Sequence, residues 1–355
     1  MDNRPTKGPE PTSEPFMQND IILLGHGSGG KLSHQLLDDL IIPTLSGTAL
    51  KDQNDAAVLA IPQGDGRLAF TTDSYVVDPL FFPGGNIGDL AINGTVNDLA
   101  MSGARPLAIS VGLILEEGLP VADLKRILQS MRSAAEVAEV AIVTGDTKVV
   151  PRGKADRLFI NTAGIGVVEH GLTLGGSLAR PGDKILINGS IGDHGMAILS
   201  SREGLEMEAD IYSDCAPLHG LVADVLAAGG EAVHVLRDPT RGGVATTLKE
   251  IALQSQVEIT LHEKHLPCRR EVLGICRLLG LDPLYVANEG KVLCVVAADK
   301  AAAVLEAMQK HPLGQQACFI GEVHHSISGR VTLRTAIGGL RSVDMLTGEQ
   351  LPRIC

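Results

Sequence analysis

The chain has 355 residues, 44% of them apolar and 20% charged, an ordinary globular composition with length for two domains that excludes disorder, collagen-like repeats and coiled coil. Lys and Arg total 30 against 42 Asp and Glu, and the resulting charge of -12 repels phosphate backbones and anionic headgroups, which argues against a nucleic-acid or membrane-surface role. Aromatics at 3% and the lack of Trp leave no base-stacking platform, whereas 41 glycines point to backbone brought close to a ligand, commonly phosphate.

Residues 1–19, with Pro5, Pro9, Pro11 and Pro15 among polar neighbours, read as a disordered leader without the apolar core of a signal peptide. An apolar-periodic first domain follows over 20–170. It has a short strand at 21–24, the turn Gly25-His-Gly-Ser-Gly-Gly30, a helix near 32–40, strands near 56–61, 68–72, 107–115 and 158–168, and helices near 86–102 and 121–138. A second domain over 171–337 opens at Arg180-Pro-Gly-Asp183. Its strands near 184–188, 257–261, 292–297 and 317–323 alternate with helices near 193–203, 217–229, 243–254, 269–280 and 299–311, the pattern of a layered α/β sandwich. At Gly338-Gly339 the pattern stops, and 338–355 reads as a mobile tail that spans up to roughly 60 Å when extended. The longest apolar runs are about half the ~20 residues of a membrane span. The six cysteines form no CxxC pair, so neither a zinc finger nor a disulfide framework is expected, and the location expected is cytoplasmic with reduced thiols.

Gly25 to Gly30 formally satisfies GxGxxG, but 51–57 is a turn where a dinucleotide fold needs the end of a second parallel strand. A P-loop fails as well, because Leu32 stands where a hydroxyl is required after Lys31. The remaining readings are a glycine lid over phosphates, built on Gly27, Gly29, Gly30 and Lys31, or a plain strand-to-helix turn. Asp55, Asp73, Asp98, Asp146 and Asp238 recur at turns; each alone is a cap or turn residue, while gathered they would suit magnesium with a bound triphosphate. Asp89, Asn93 and Asn97 make one polar stripe on the helix near 86–102, facing either a ligand or solvent. Asp238-Pro-Thr-Arg-Gly-Gly243 and Gly189-Ser-Ile-Gly-Asp193 each open a helix, as anion-binding turns or as simple N-caps. The terminal Cys355 is misplaced for a prenylation box and is either a nucleophile on the tail or an accidental thiol.

Taken together, the Gly-Ser-Gly-Gly-Lys31 turn, Asn54-Asp-Ala-Ala57, Thr71-Thr-Asp73, Asn97-Asp98, Gly145-Asp-Thr-Lys148 and Asp238-Pro-Thr-Arg-Gly-Gly243 resemble the aminoimidazole ribonucleotide synthetase (PurM-like) superfamily over roughly residues 20–340. The resemblance implies a two-domain α/β (α+β) fold, ATP-dependent phosphorylation of an amide-type oxygen, and a homodimer formed through the N-terminal domains. The ending Pro352-Arg-Ile-Cys355 resembles the carbamoyl dehydratases of [NiFe] hydrogenase maturation. Those enzymes imply that a carbamoyltransferase partner loads Cys355, that dehydration makes a thiocyanate there, and that a maturation scaffold accepts the cyanide. The resemblance places ATP near Gly27, Gly29, Gly30, Lys31, Asn97 and Asp146, magnesium on Asp55, Asp73, Asp98 and Asp238, and Lys148 near the transferred phosphate. Glu289, which interrupts an apolar β segment at a Gly turn, is the candidate base, with an exposed hairpin Glu as the alternative. Two other readings stay open. One is a selenophosphate synthetase relative, although that branch keeps a reactive Cys or selenocysteine in the glycine loop and none is present. The other is a non-catalytic thiol carrier.

Overall fold

The computed structural model describes residues 21–23, 26, 36–45, 66–168, 171, 173–202, 211–346 and 354. The glycine turn with Gly27, Gly29, Gly30 and Lys31, the segment with Asp55, and Cys355 lie outside them.

In the first domain β1 (Arg67–Tyr75), β4 (Ala104–Glu116), β5 (Ala141–Val150) and β6 (Leu158–Val168) form a four-stranded sheet in the order β1-β6-β4-β5. A small hairpin, β2 (Phe81–Phe82) with β3 (Gly85–Asn86), leads into α1 (Ile87–Met101). Asn86 and Asp89 close a capping box at the start of α1, which fixes where that helix begins. Helices α1 and α2 (Val121–Val137) cover one face of the sheet, and their apolar stripes build the first core with Val111, Leu113, Leu115 and Ile160. The strand β5 was not foreseen, because Gly145-Asp-Thr-Lys148 carries turn-forming residues. Its parallel pairing with β4 overrides that local preference.

The second domain holds a seven-stranded sheet in the order β13-β12-β9-β11-β7-β10-β8. Its strands are β7 (Lys184–Ile187), β8 (Val233–Arg237), β9 (Val257–His262), β10 (Leu293–Val296), β11 (Cys318–His325), β12 (Val331–Arg334) and β13 (Leu340–Val343). The helices are α3 (Asp193–Arg202), α4 (His219–Gly229), α5 (Gly243–Ser255), α6 (Arg270–Leu279) and α7 (Ala301–Lys310). Alternation along β7 shows the layering. Ile185 and Ile187 point into one core with α5, while Leu186 points into another with α4 and α7. Residues 340–343, expected in the mobile tail, instead extend this sheet. Gly338 (φ 93) turns the chain back, and the Gly338 amide donates to the Thr335 carbonyl at 2.9 Å. Among the described residues no helix is long and apolar enough to cross a membrane.

Of the expected polar stripe of α1, Asn93 and Asn97 are buried away from solvent and Asp89 is half-buried. Asn97 is 0% exposed, and its amide joins the two domains. Its Nδ2 donates to the carbonyls of Glu289 (2.9 Å) and Ala216 (3.1 Å), and its Oδ1 accepts from the Leu218 amide at 2.7 Å. Asn97, expected near ATP, thus has its hydrogen-bonding groups engaged with backbone and does not line the cavity described below. Replacing Asn97 by Ala strands three buried backbone groups, so Asn97→Ala should lower unfolding stability by roughly 2–4 kcal/mol in denaturant titration. A loss below ~0.5 kcal/mol would show that the clamp contributes little.

A candidate active site at the domain junction

A cavity of about 850 Å³ opens between β1, the C-terminal half of α1 and the end of β8, a volume within the range of small-molecule sites. Asp73 reaches it from β1, Asp98 from α1 and Asp238 from the turn after β8, beside Thr71, Thr240 and the basic residues Arg67, Arg237 and Arg241. Thr71 Oγ1 donates to Asp98 Oδ2 at 2.8 Å. Burial and the facing Asp238 push the Asp98 carboxyl up to about 7, and burial with Asp73 raises Asp238 as well. Carboxylates that oppose one another this way fit a bound cation. Among the described residues, however, no group of three His, Cys, Asp or Glu side chains comes close enough to hold a metal ion. The turn carrying Asp238 is fixed by close packing. Gly243 (φ 59) leaves no room for a Cβ, which would sit 2.5 Å from the Leu284 carbonyl oxygen. The turn has no side-chain cap, so Thr240 is not the N-cap of α5.

Glu289 also lines the cavity but is itself 3% exposed, which disposes of the exposed-hairpin alternative. Three asparagines hold its loop. Asn97 binds the Glu289 carbonyl, Asn188 binds the Gly290 carbonyl (3.1 Å) and the Val292 amide (2.8 Å), and Asn288 binds the Pro239 carbonyl (2.8 Å) and the Gly192 amide (2.8 Å). Gly290 is required, because a Cβ would lie 1.9 Å from the Asp214 carbonyl oxygen. Beneath the loop Asp214 pairs with Lys291 at 2.8 Å and accepts from the Glu289 amide at 3.1 Å. Burial pushes the Asp214 carboxyl up, and Lys291 outweighs it, holding the group below the usual carboxylate range. Burial raises the Glu289 carboxyl well above that range, aided by the charges of Asp214, Asp238, Asp73 and Asp98.

Near the chain end, Ile354 comes next to His194, a neighbour of Glu289. Ile354 is 6% exposed and packs in the first core, which also contains Ala287. Its carbonyl lies 2.6 Å from Nε2 of His194, whose Nδ1 lies 2.8 Å from Ser213 Oγ. His194 Nε2 is 4.0 Å from Glu289 Oε1, which has no hydrogen-bond partner among the described residues. Residue 354 is therefore docked one peptide bond before Cys355, where a mobile end was expected.

Asp146 and Lys148 do not line this cavity. They form an exposed ion pair at 2.8 Å on β5, the sheet edge opposite β1, and the Lys148 hydrogen bond lowers the Asp146 carboxyl. Sequence reasoning also passed over His194, Ser213, Asp214 and Lys291. Of these Lys291, two residues beyond Glu289, and His194, directly after the Gly189-Ser-Ile-Gly-Asp193 turn, stood beside residues already singled out.

Two family models cover most of the chain: the N-terminal domain of AIR synthase related proteins matches residues 53–168, and the C-terminal domain matches 180–334. The chain is 54% identical to a protein of Rhizobium leguminosarum bv. viciae named carbamoyl dehydratase HypE, over 95% of this chain and 96% of that one. It is 48% identical to the protein of that name from Escherichia coli K12, over 94% and 99% of the two chains. A crystal structure of hydrogenase maturation protein HypE in complex with ATP superposes with a TM-score of 0.89 at 51% identity, covering 94% of this chain and 99% of that chain.

The raised carboxyl of Glu289 carries a sign that can be tested. A carboxyl whose folded pKa exceeds its unfolded value costs stability as pH rises through the folded pKa, and costs nothing below about pH 4, where both states are protonated. Glu289→Gln should therefore melt above the parent protein at pH 8, with the advantage vanishing towards pH 4. A melting difference independent of pH would place the ionisable group elsewhere.

The matched domains, the shared fold and the length of the identity lead to one assignment: this chain belongs to the AIR synthase-related family and, within it, to the HypE carbamoyl dehydratases.

Proposed function

We propose that this protein dehydrates a carbamoyl group on Cys355 to a thiocyanate at the expense of ATP, in the cytoplasmic maturation of [NiFe] hydrogenase. The observation that carries this reading is the docked chain end: Ile354 is bound by His194, which lies 4.0 Å from Glu289, and Glu289 in turn lines a cavity large enough for a nucleotide. The ATP complex of a HypE relative supports the nucleotide assignment. Relatives named hydrogenase expression/formation proteins support the setting, and a solved HypE–HypF complex supports a partner protein that loads the thiol. The cyanide would pass to a maturation scaffold.

The chemistry balances with these groups. The carbamoyl oxygen takes the γ-phosphoryl group, the C–O bond then breaks with phosphate leaving, and the nitrogen gives up both protons, so thiocarbamate and ATP yield thiocyanate, ADP, phosphate and a proton. Phosphorylation matters because an amide oxygen is a poor leaving group and phosphate a good one. Glu289, buried and unpaired at Oε1, is the base for the nitrogen protons, its raised pKa bringing it closer to the working pH. Asp73, Asp98 and Asp238, with Asp55, would hold magnesium, which neutralises triphosphate charge when bound. Arg67 and Arg241 stand on the same wall. Nucleotide affinity in calorimetry should collapse in EDTA and in Asp98→Ala. Cyanate-carbamoylated protein given ATP and magnesium should lose the mass of one water from its C-terminal peptide, and Glu289→Gln should slow that loss at least ~100-fold. Conversion of Glu289→Gln at the parent rate would remove Glu289 from the mechanism.

The face of the first sheet that no described element covers fits a homodimer. Leu68 and Phe70 on β1 and Ile114 on β4 are exposed, Phe70 to 72%, and Phe70 is paired in register with Ile165. Apolar side chains along an open sheet face are the material of an isologous interface. Such pairing also offers Lys148 a route to the chemistry, since β5 of one copy would approach β1 of the other. Phe70→Glu should sediment as a monomer. Mixed dimers of Lys148→Ala and Glu289→Gln should recover about a quarter of parent activity, since half the dimers are mixed and each holds one intact site. No recovery would place Lys148 outside the partner's cavity.

A further inference from the structure

His194 is a buried histidine that the chemistry above does not use. It is 0% exposed at the start of α3, stacked edge-on against Phe82 at 5.6 Å between ring centres. Its two nitrogens are committed, and the roles follow from the partners. A backbone carbonyl only accepts, so at 2.6 Å from Ile354 the Nε2 atom carries the hydrogen. Burial holds the ring in its neutral form, so Nδ1 is then an acceptor, and Ser213 Oγ donates to it at 2.8 Å. Ser213 can donate there while its oxygen accepts from the Cys215 amide at 3.1 Å. The chain Cys215 N–H, Ser213 O–H, His194 Nε2–H and Ile354 C=O thus runs one way, ending on the last peptide carbonyl of the protein. With Nε2–H given to that carbonyl and Nδ1 filled by Ser213, His194 has no free lone pair and is not the base. Glu289, 4.0 Å away, keeps Oε1 free.

We propose that His194 is a positioning residue, a latch that recognises the backbone of the C-terminus rather than its side chain and sets the register in which Cys355 meets Glu289, with Ser213 fixing the tautomer the latch requires. The fit is to an extended chain end with a free carbonyl one residue before the reactive thiol. The apolar seat of Ile354 supplies attraction without direction, and the hydrogen bond supplies direction. This inference rests on the assignment of Cys355 and Glu289 given above, but docking itself is measurable without any turnover.

The test is alkylation of Cys355 by iodoacetamide in the full chain, followed by mass spectrometry of the C-terminal peptide so that the other thiols do not interfere. His194→Gln, whose side-chain amide reaches to the place of Nε2, should label near the parent rate. His194→Asn, polar but too short, and His194→Ala should label roughly tenfold faster, as expected for the loss of one buried hydrogen bond. Ser213→Ala should fall between, because the ring then exchanges tautomers. The same order should hold for water loss from the cyanate-loaded protein. Equal labelling by Gln and Asn variants, or an Asn variant as slow as the parent, would overturn the latch; because both replace His by an amide of similar polarity, a general folding defect would affect them alike. Protection of Cys355 in the parent with no dehydration under ATP would instead leave the latch standing and reject the proposed reaction.

Discussion

The loop that carries Glu289 is a buried polar segment, and buried backbone amides and carbonyls must find partners. Three asparagines supply them. Asn188 and Asn288 tie the loop to the second domain, and Asn97 reaches across from α1 of the first. Each uses the two-sided amide, donating to a carbonyl and accepting from an amide, which aspartate or leucine at the same position could not do. The cavity exists because of this clamp. The two domains share Asn97, so the wall carrying Asp73 and Asp98 is held in register with the wall carrying Asp238 and Glu289.

The charge pattern follows from that register. Asp98 and Asp238 face each other across the domain boundary, and Glu289 senses both as well as Asp214. Asp214 is paired with Lys291, whereas for Asp98 and Asp238 the nearby Arg237 offsets less than burial and the facing carboxylates add. The remaining carboxyls retain a surplus of negative potential in a partly desolvated place, which favours protons or cations.

A second consequence concerns the chain end. A docked terminus is a substrate that never leaves by diffusion, so effective concentration replaces binding affinity. What must be controlled is register. The contacts of Ile354 divide that control, with the core cluster holding the side chain and His194 holding the carbonyl.

Much was legible in the residues. Strand and helix periodicity gave the two α/β units, the glycine turn before α5 was visible in Asp238-Pro-Thr-Arg-Gly-Gly243, and the Gly after Glu289 marked a sharp turn beside a carboxylate. The convergence of Asp73, Asp98 and Asp238 was expected from the resemblance and is seen in one cavity. Local signals failed where a distant partner decided the outcome. In β5, pairing with β4 overrode a turn-like sequence, and at Gly338 a hairpin kept 340–343 in the sheet. The stripe of Asn93 and Asn97 read as facing a ligand or solvent because its partners, Cys215, Ala216, Leu218 and Glu289, are more than a hundred residues away. His194 stood next to a turn already noted, yet nothing marked its role, since that role comes from Ser213 and Ile354, which only the folded chain brings to its two nitrogens. Sequence by itself thus determined the elements and the chemical types at hand, because periodicity and turn chemistry are local. Tertiary structure alone decided which polar groups became clamps, which became acids and which met the chain end, because burial and facing charges set those roles.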